Sequence, residues 1–266
     1  MDLKIISSKG WAVNMLQLIK FEFRKVLRSK YMHIIFGIGL VLTLIMVMTT
    51  KALNIILLEI GESEIPYSGY FCGKSALATA FSLMTGIFVA IFACEDFNQQ
   101  TNKNIIAKGY KRLELFYSKY IVSLILTVSF AIILVLSSLG LGYALYGDGG
   151  FTINDNVAVI FLSQLLCAIA YHAFFFAVSY SVARPAPALA INIVVPSALQ
   201  IVVGIIDIIL NKEDFHITDY VIDGVLANLS SATTNTDIIL LGVIMLLVYI
   251  ALSHGLGILV ARKKQF

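Results

Sequence analysis

Apolar residues run through this chain in long blocks, separated by shorter polar segments of uneven charge. Six blocks, at about 31–50, 75–94, 120–146, 157–183, 186–208 and 238–261, are free of charged residues apart from Asp207 near the end of the fifth. Each has the roughly 20 residues needed to cross the hydrocarbon of a bilayer. Each must be helical there, because lipid offers backbone N–H and C=O groups no partners. The third and fourth exceed the need, which predicts tilt or protrusion.

Ahead of the first block, residues 11–30 read WAVNMLQLIKFEFRKVLRSK. Leu16, Ile19, Phe23, Val26 and Leu27 recur at helical spacing, with Lys20, Arg24, Lys25 and Arg28 largely on the other side. Trp11 and Phe21 suit headgroup level. This is the pattern of an amphipathic helix lying in the membrane interface. The first apolar block begins only at Tyr31 and no small-residue cleavage site follows it, so the start does not read as a secretory signal.

The loop at 95–119 carries Lys103, Lys108, Lys111, Arg112 and Lys119. Its centre predicts a short helix, with Thr101 or Asn102 as the cap and Gly109 as the stop. Ile105 and Ile106 form an apolar knob on that polar element. They either press on a partner or pack against neighbouring loops and headgroups. At 211–237, Val221, Ile222, Val225, Leu226 and Leu229 keep helical spacing, which predicts a short re-entrant helix covered by protein.

Composition agrees with this pattern: 59% of residues are hydrophobic and 13% charged, unlike a soluble domain. The net charge of +3 matters less than its placement. One face receives the N-terminal segment, the 95–119 loop, Arg184, Arg262, Lys263 and Lys264. The other receives Lys51, Lys74 and Lys212 among ten carboxylates. The positive-inside rule then predicts N-in and C-in. The expected architecture is an all-α membrane protein. Six transmembrane helices follow an interfacial elbow helix, in one transmembrane domain over 1–266.

Cys72, Cys94 and Cys167 form no metal-binding or disulfide spacing. No GxxxxGK[ST], HExxH or GxSxG motif occurs, so P-loop ATP hydrolysis is not expected of this chain. His172 and His254 lie in blocks four and six. A metal site or proton relay stands beside hydrogen bonding between helices, which the lack of a carboxylate at matching spacing favours. Gln164, Ser163 and Asn192 take the same packing reading, and Asp207 at a block end is placed to reach water. Pro196 withholds a backbone donor inside block five. Gly140, Gly142, Ser253, Gly255 and Gly257 allow close helix approach.

With these features set out, the whole chain resembles the permeases of type 2 ABC exporters (ABC-2 type, type V exporter-like). It is most similar to those serving lantibiotic or bacteriocin immunity and antimicrobial-peptide export in Gram-positive bacteria. The loop carries the most specific part: Glu95, Thr101, Lys103, Asn104, Gly109, Arg112 and Lys119 follow the family pattern, while Tyr110-Lys111 depart from it. The resemblance implies a non-enzymatic permease subunit in a bacterial plasma membrane, binding no cofactor itself. A separate ABC ATPase subunit would hold ATP and Mg. A second copy or a related permease would complete the path, with membrane lipid and a peptide-like substrate as further partners and no nucleic acid. Glu95, Thr101, Lys103, Asn104, Ile105, Ile106, Gly109 and Arg112 become the expected ATPase-coupling residues. Trp11, Phe23, Arg24 and Arg28 mark the interfacial helix, and Gln164, His172, Asn192, Pro196 and His254 are candidate path positions. Export of lipid or small drugs stands as the alternative. An ion-coupled carrier would want charge near the bilayer midplane, and an intramembrane hydrolase would want a motif; neither is visible.

The topology is directly testable. In a cysteine-free background, Ser63→Cys, Asp148→Cys and Asn235→Cys are expected to react with an impermeant thiol reagent in intact cells. Asn102→Cys is expected to react only after lysis, and its labelling in sealed cells would overturn the N-in arrangement.

Overall fold

Helices that bond their own backbone are what hydrocarbon demands of these blocks, and every regular element among the described residues is helical. The computed structural model describes residues 3–60, 81–99, 101–146, 157–210, 216–230 and 236–264. In chain order they form α1 (Leu3–Leu27), α2 (Lys30–Glu59), α3 (Phe81–Asn98), α4 (Thr101–Ala107) and α5 (Arg112–Tyr146). Then come α6 (Val157–Val182), α7 (Pro185–Leu210), a 3-10 turn (Ile217–Tyr220), α8 (Ile222–Ser230) and α9 (Thr236–Lys263). Five helices, α2, α5, α6, α7 and α9, are long and apolar enough to span a membrane. The sixth candidate is α3 taken with α4, which bends from it by 57°. The start of the expected second span, Cys72, and the labelling positions Ser63, Asp148 and Asn235 lie outside the described residues.

Helix ends depart from the apolar windows where polar side chains extend them. The α2 helix continues past Lys51 to Glu59, and Lys51 Nζ donates to the Leu145 carbonyl at the end of α5, 3.1 Å away. The α5 helix starts at Arg112, ahead of the window at 120, because Glu114 reaches back to accept from the Lys111 N–H at 3.0 Å. That is half of a capping box, satisfying a donor the first turn leaves open.

The α6 helix is the centre of the bundle, packed on α3, α5, α7 and α9. Phe81, Phe92, Phe116, Tyr171, Phe175, Phe176 and Tyr180 are fully buried around it. By contrast, α2 buries one line, Met32, Ile35, Gly39, Thr43, Val47, Thr50 and Asn54, against α5 and α3. Gly39 is needed on that line: a Cβ there would meet Phe130 Cζ at 2.5 Å. Gly257 likewise admits the Phe116 ring, Gly142 and Ser253 are buried, and Gly140 and Gly255 face open space. Cys94 and Cys167 are free and buried. At the α6–α7 corner Ala183 takes a left-handed φ of 59°, and Pro185 opens α7 at the position where its missing N–H costs nothing.

At the acidic end Asp207 is part-exposed, as expected, and its carboxylate also has protein partners. It accepts from the N–H of Ile217 at 2.7 Å, the N–H of Thr218 at 2.9 Å and the Thr218 hydroxyl at 2.7 Å, holding the 3-10 turn against α7. The α8 helix buries Ile222, Val225, Leu226 and Leu229, and Asn228 Nδ2 donates to Asp219 Oδ1 at 2.9 Å.

Overpacking the α2–α5 seam should destabilise the fold. Gly39→Val is expected to cost about 1–3 kcal/mol and lower the thermal unfolding midpoint in detergent. Gly140→Val, into open space, should leave it nearly unchanged. Equal midpoints for the two variants would contradict the seam.

Candidate functional site

The α1 helix buries Leu18, Glu22 and Val26, one residue per turn, against α5. Ile19 and Phe23 pack partly on the core. Leu16 (64% exposed), Phe21 (49%) and Leu27 (43%) face outward, and Lys20, Arg24 and Arg28 are exposed with them. The apolar stripe of α1 is therefore divided: Leu16 and Leu27 face outward beside the basic residues, while Val26 turns to the bundle in line with Glu22. The Trp11 side chain lies outside the described residues. An outward face of apolar and basic residues together suits a membrane interface.

Lys25, expected on the polar side, turns inward. It pairs with Asp96 Oδ1 and, at 3.2 Å, with Glu95 Oε2 at the foot of α3. Lys119, expected among the accessible loop cations, is completely buried. It pairs with Asp96 Oδ2 and stands 3.5 Å from Glu22 Oε1 and 5.0 Å above the centre of the Phe92 ring. The Tyr31 hydroxyl donates to Glu95 Oε2 at 3.5 Å, joining α2. Five charged groups thus tie α1, α3 and α5 together. Three carboxylates face two ammonium groups, and burial makes that excess costly. The Glu22 carboxyl responds: burial raises its pKa above the ordinary value, outweighing the attraction of Lys119, and Asp96 raises it further. For Lys25, burial works against the ammonium, but Asp96, Glu22 and Glu95 outweigh it and hold its pKa above the ordinary value.

The α4 helix hangs below this cluster. Ile105, expected to be an exposed knob, is only 9% exposed and packs on Leu18 of α1 and Leu115 of α5, with Tyr110 beside it. Ile106 is half-buried; Lys103, Asn104, Ala107 and Lys108 form the exposed side. Thr101 and Asn102 lie within the helix, and Asn102 is buried, which makes Lys103 the accessible reporter position on α4. Gly109 ends the helix as expected, with φ at 93°, a conformation glycine adopts without a Cβ clash. Arg112 is exposed at the start of α5. Gln17, Leu18, Phe21, Ile105, Lys108 and Tyr110 line a cavity of about 200 Å³ between α1 and α4.

At the same end, Lys264 closes α6 by donating to the carbonyls of Tyr180 and Ser181 and stands 4.3 Å from the centre of the Phe97 ring. Burial lowers its pKa to about 8, with Cys94 opposing.

The candidate path residues are distributed through the bundle. His172 is fully buried, with Nε2 at 2.7 Å from Ser123 Oγ. Its ring and that of His254 flank Tyr120, at centroid distances of 4.9 and 4.7 Å. Asn192 Nδ2 donates to the Gly86 carbonyl at 3.2 Å and Ser179 Oγ at 3.0 Å, joining α3, α6 and α7. Gln164 is buried; Pro196 and His254 are partly exposed. No group of three potential metal ligands occurs among the described residues.

Sequence reasoning missed Glu22, Asp96 and Asp223. Glu22 was visible as a lone acid in line with Leu18 and Val26. Asp223, grouped with the outer acids, instead accepts a hydrogen bond from the Tyr171 phenol inside the bundle, and no spacing rule reveals that.

Removing one ion should hurt more than neutralising another. Lys119→Ala leaves Glu22 buried without its nearest cation and Asp96 with Lys25 alone, and is expected to cost about 3–5 kcal/mol. Glu22→Gln, which mimics the protonated form that burial favours, should cost under about 1 kcal/mol. The readout is the thermal midpoint and yield of monodisperse protein; the reverse order would overturn this reading of the cluster.

A family model described as ABC-2 family transporter protein matches residues 18–207. No curated protein matches the chain. The matched stretch begins in α1 and runs into α7, taking in the ion cluster and α4. With its long apolar helices, the chain is a multi-pass plasma-membrane protein, and it belongs to the ABC-2 family of transporter proteins.

Proposed function

We propose that this membrane component is the permease subunit of an ATP-driven exporter of peptides, in antimicrobial-peptide export or immunity. A separate ATPase subunit docks on α4, the basic end faces the cytosol, and a second copy or related permease completes the path. The observation that carries the reading is mechanical. The α4 helix is pinned through Ile105 to α1 and α5, and those helices are joined to α3 by buried ion pairs. A displacement applied to α4 therefore reaches two long helices without passing through a soft joint. The surface left for a motor is the exposed side of α4, with Lys103, Asn104 and Lys108, and the half-buried Ile106 at its edge. ATP and Mg belong to the partner in this scheme.

The two isoleucines should separate by phenotype. Ile105→Asp places a charge in a packed apolar contact and is expected to reduce folded yield. Ile106→Asp should leave a folded membrane protein that loses its ATPase, at a cost on the order of 2–4 kcal/mol if it anchors the contact. Lys103→Ala and Arg112→Ala should be milder and salt-sensitive. The measurement is co-purification of the ATPase and its activity in reconstituted membranes. A normal complex with normal coupled turnover in Ile106→Asp would place the motor contact elsewhere.

A further inference from the structure

The acidic end of the bundle contains a second site, unrelated to the ion cluster. Tyr171 and Phe174 of α6, Pro196 and Leu199 of α7, Val221, Ile222 and Asp223 at the start of α8, and Tyr249 of α9 surround a cavity of about 50 Å³. Tyr171 lies fourteen residues into α6 and Tyr249 thirteen into α9, so roughly 20 Å along each at 1.5 Å per residue. The re-entrant segment thus carries a carboxylate well below the ends of the long helices.

Three aromatic rings and one carboxylate give this cavity its chemistry. The Tyr171 hydroxyl donates to Asp223 Oδ1, its one hydrogen bond among the described residues. Among the described residues no lysine or arginine lines the cavity. A carboxylate at span depth is costly without a cationic partner, and the ring faces of Tyr171, Phe174 and Tyr249 attract cations at the same time. The volume admits an ammonium group, comparable in size to a water molecule. Leu199, 47% exposed, sits at the opening on the outer surface of α7, leaving an apolar exit for a stem.

We propose that this cavity binds a primary ammonium group carried on an apolar stem, with Asp223 as the counter-ion and Tyr171, Phe174 and Tyr249 as the walls. The site deepens the export reading, and rests on it only for the molecule that bears the ammonium: a cationic amphiphilic peptide presenting a lysine or amino terminus.

The test uses the full chain in phosphatidylcholine nanodiscs and dansylcadaverine, a primary ammonium on a pentyl stem, with empty discs as background. Saturable fluorescence enhancement is expected for the wild type. N-acetylated dansylcadaverine, which keeps the stem and loses the charge, should show none above background. Asp223→Asn, which still accepts from Tyr171, and Tyr249→Leu should each weaken binding about tenfold or more. Equal binding of both probes, no binding by the wild type, or unchanged affinity in Asp223→Asn would overturn the proposal. Should Asp223→Asn fail to fold, Tyr249→Leu and the probe comparison decide the matter. The cargo reading is judged separately by the sensitivity of cells lacking the chain to cationic antimicrobial peptides. Probe binding through Asp223 with unaltered sensitivity keeps the site and removes the peptide reading. Altered sensitivity without probe binding does the opposite.

Discussion

Burying charge is the constraint on which the basic end depends. Lys119, Glu22 and Asp96 are all withdrawn from water, and each is tolerable only while the others stay in place. That mutual requirement holds α1, α3 and α5 in one arrangement. The α1 helix cannot leave the surface of α5 without parting Glu22 from Lys119, and α3 cannot shift without parting Asp96 from both lysines. An interface of side chains packed by apolar contact alone would yield gradually. One held by complementary ions is either closed or strongly unfavourable, which makes it suited to passing on a push and poor at absorbing one.

The opposite end solves a different problem with the same residue type. Asp207 and Asp219 hold the segment at 216–230 by accepting from backbone and amide donors, and Asp223 does so from a phenol. None of these has an ion partner among the hydrogen bonds that position the segment. Among the described residues the acidic end is therefore assembled from oriented neutral donors, and the basic end from ions. A carboxylate among neutral donors keeps its negative charge available to something outside the fold; one between two lysines does not.

Much of this was legible in the sequence, for a physical reason. Span positions follow from the apolar blocks because lipid allows little else, and the stop of α4 follows from Gly109 because few residues take that backbone. The faces of α1 were not legible. Apolar Leu16 and Leu27 turn outward, and in a chain built for a membrane hydrophobicity loses its power to say which side is core. Glu22 turns inward because its partners, Asp96 and Lys119, are brought to it by elements distant in sequence. For the same reason Ile105 read as a free anchor until Leu18 and Leu115 were seen to enclose it, and Asp223 read as a surface acid until the chain was seen to fold back along Tyr171.

The narrow burial of α2 has a consequence of its own. It touches the bundle along one line, from Met32 to Asn54, with polar ties near its two ends: Tyr31 to Glu95, and Lys51 to the Leu145 carbonyl. Among the described residues α2 packs on α3 and α5, whereas α6 packs on α3, α5, α7 and α9, so displacing α2 would disturb less packing than displacing α6. Among the described residues α2 thus stands as a flank of the bundle, with Ile34, Val41, Ile45 and Met48 exposed on its other side. A large guest that enters or leaves sideways would meet its least resistance there.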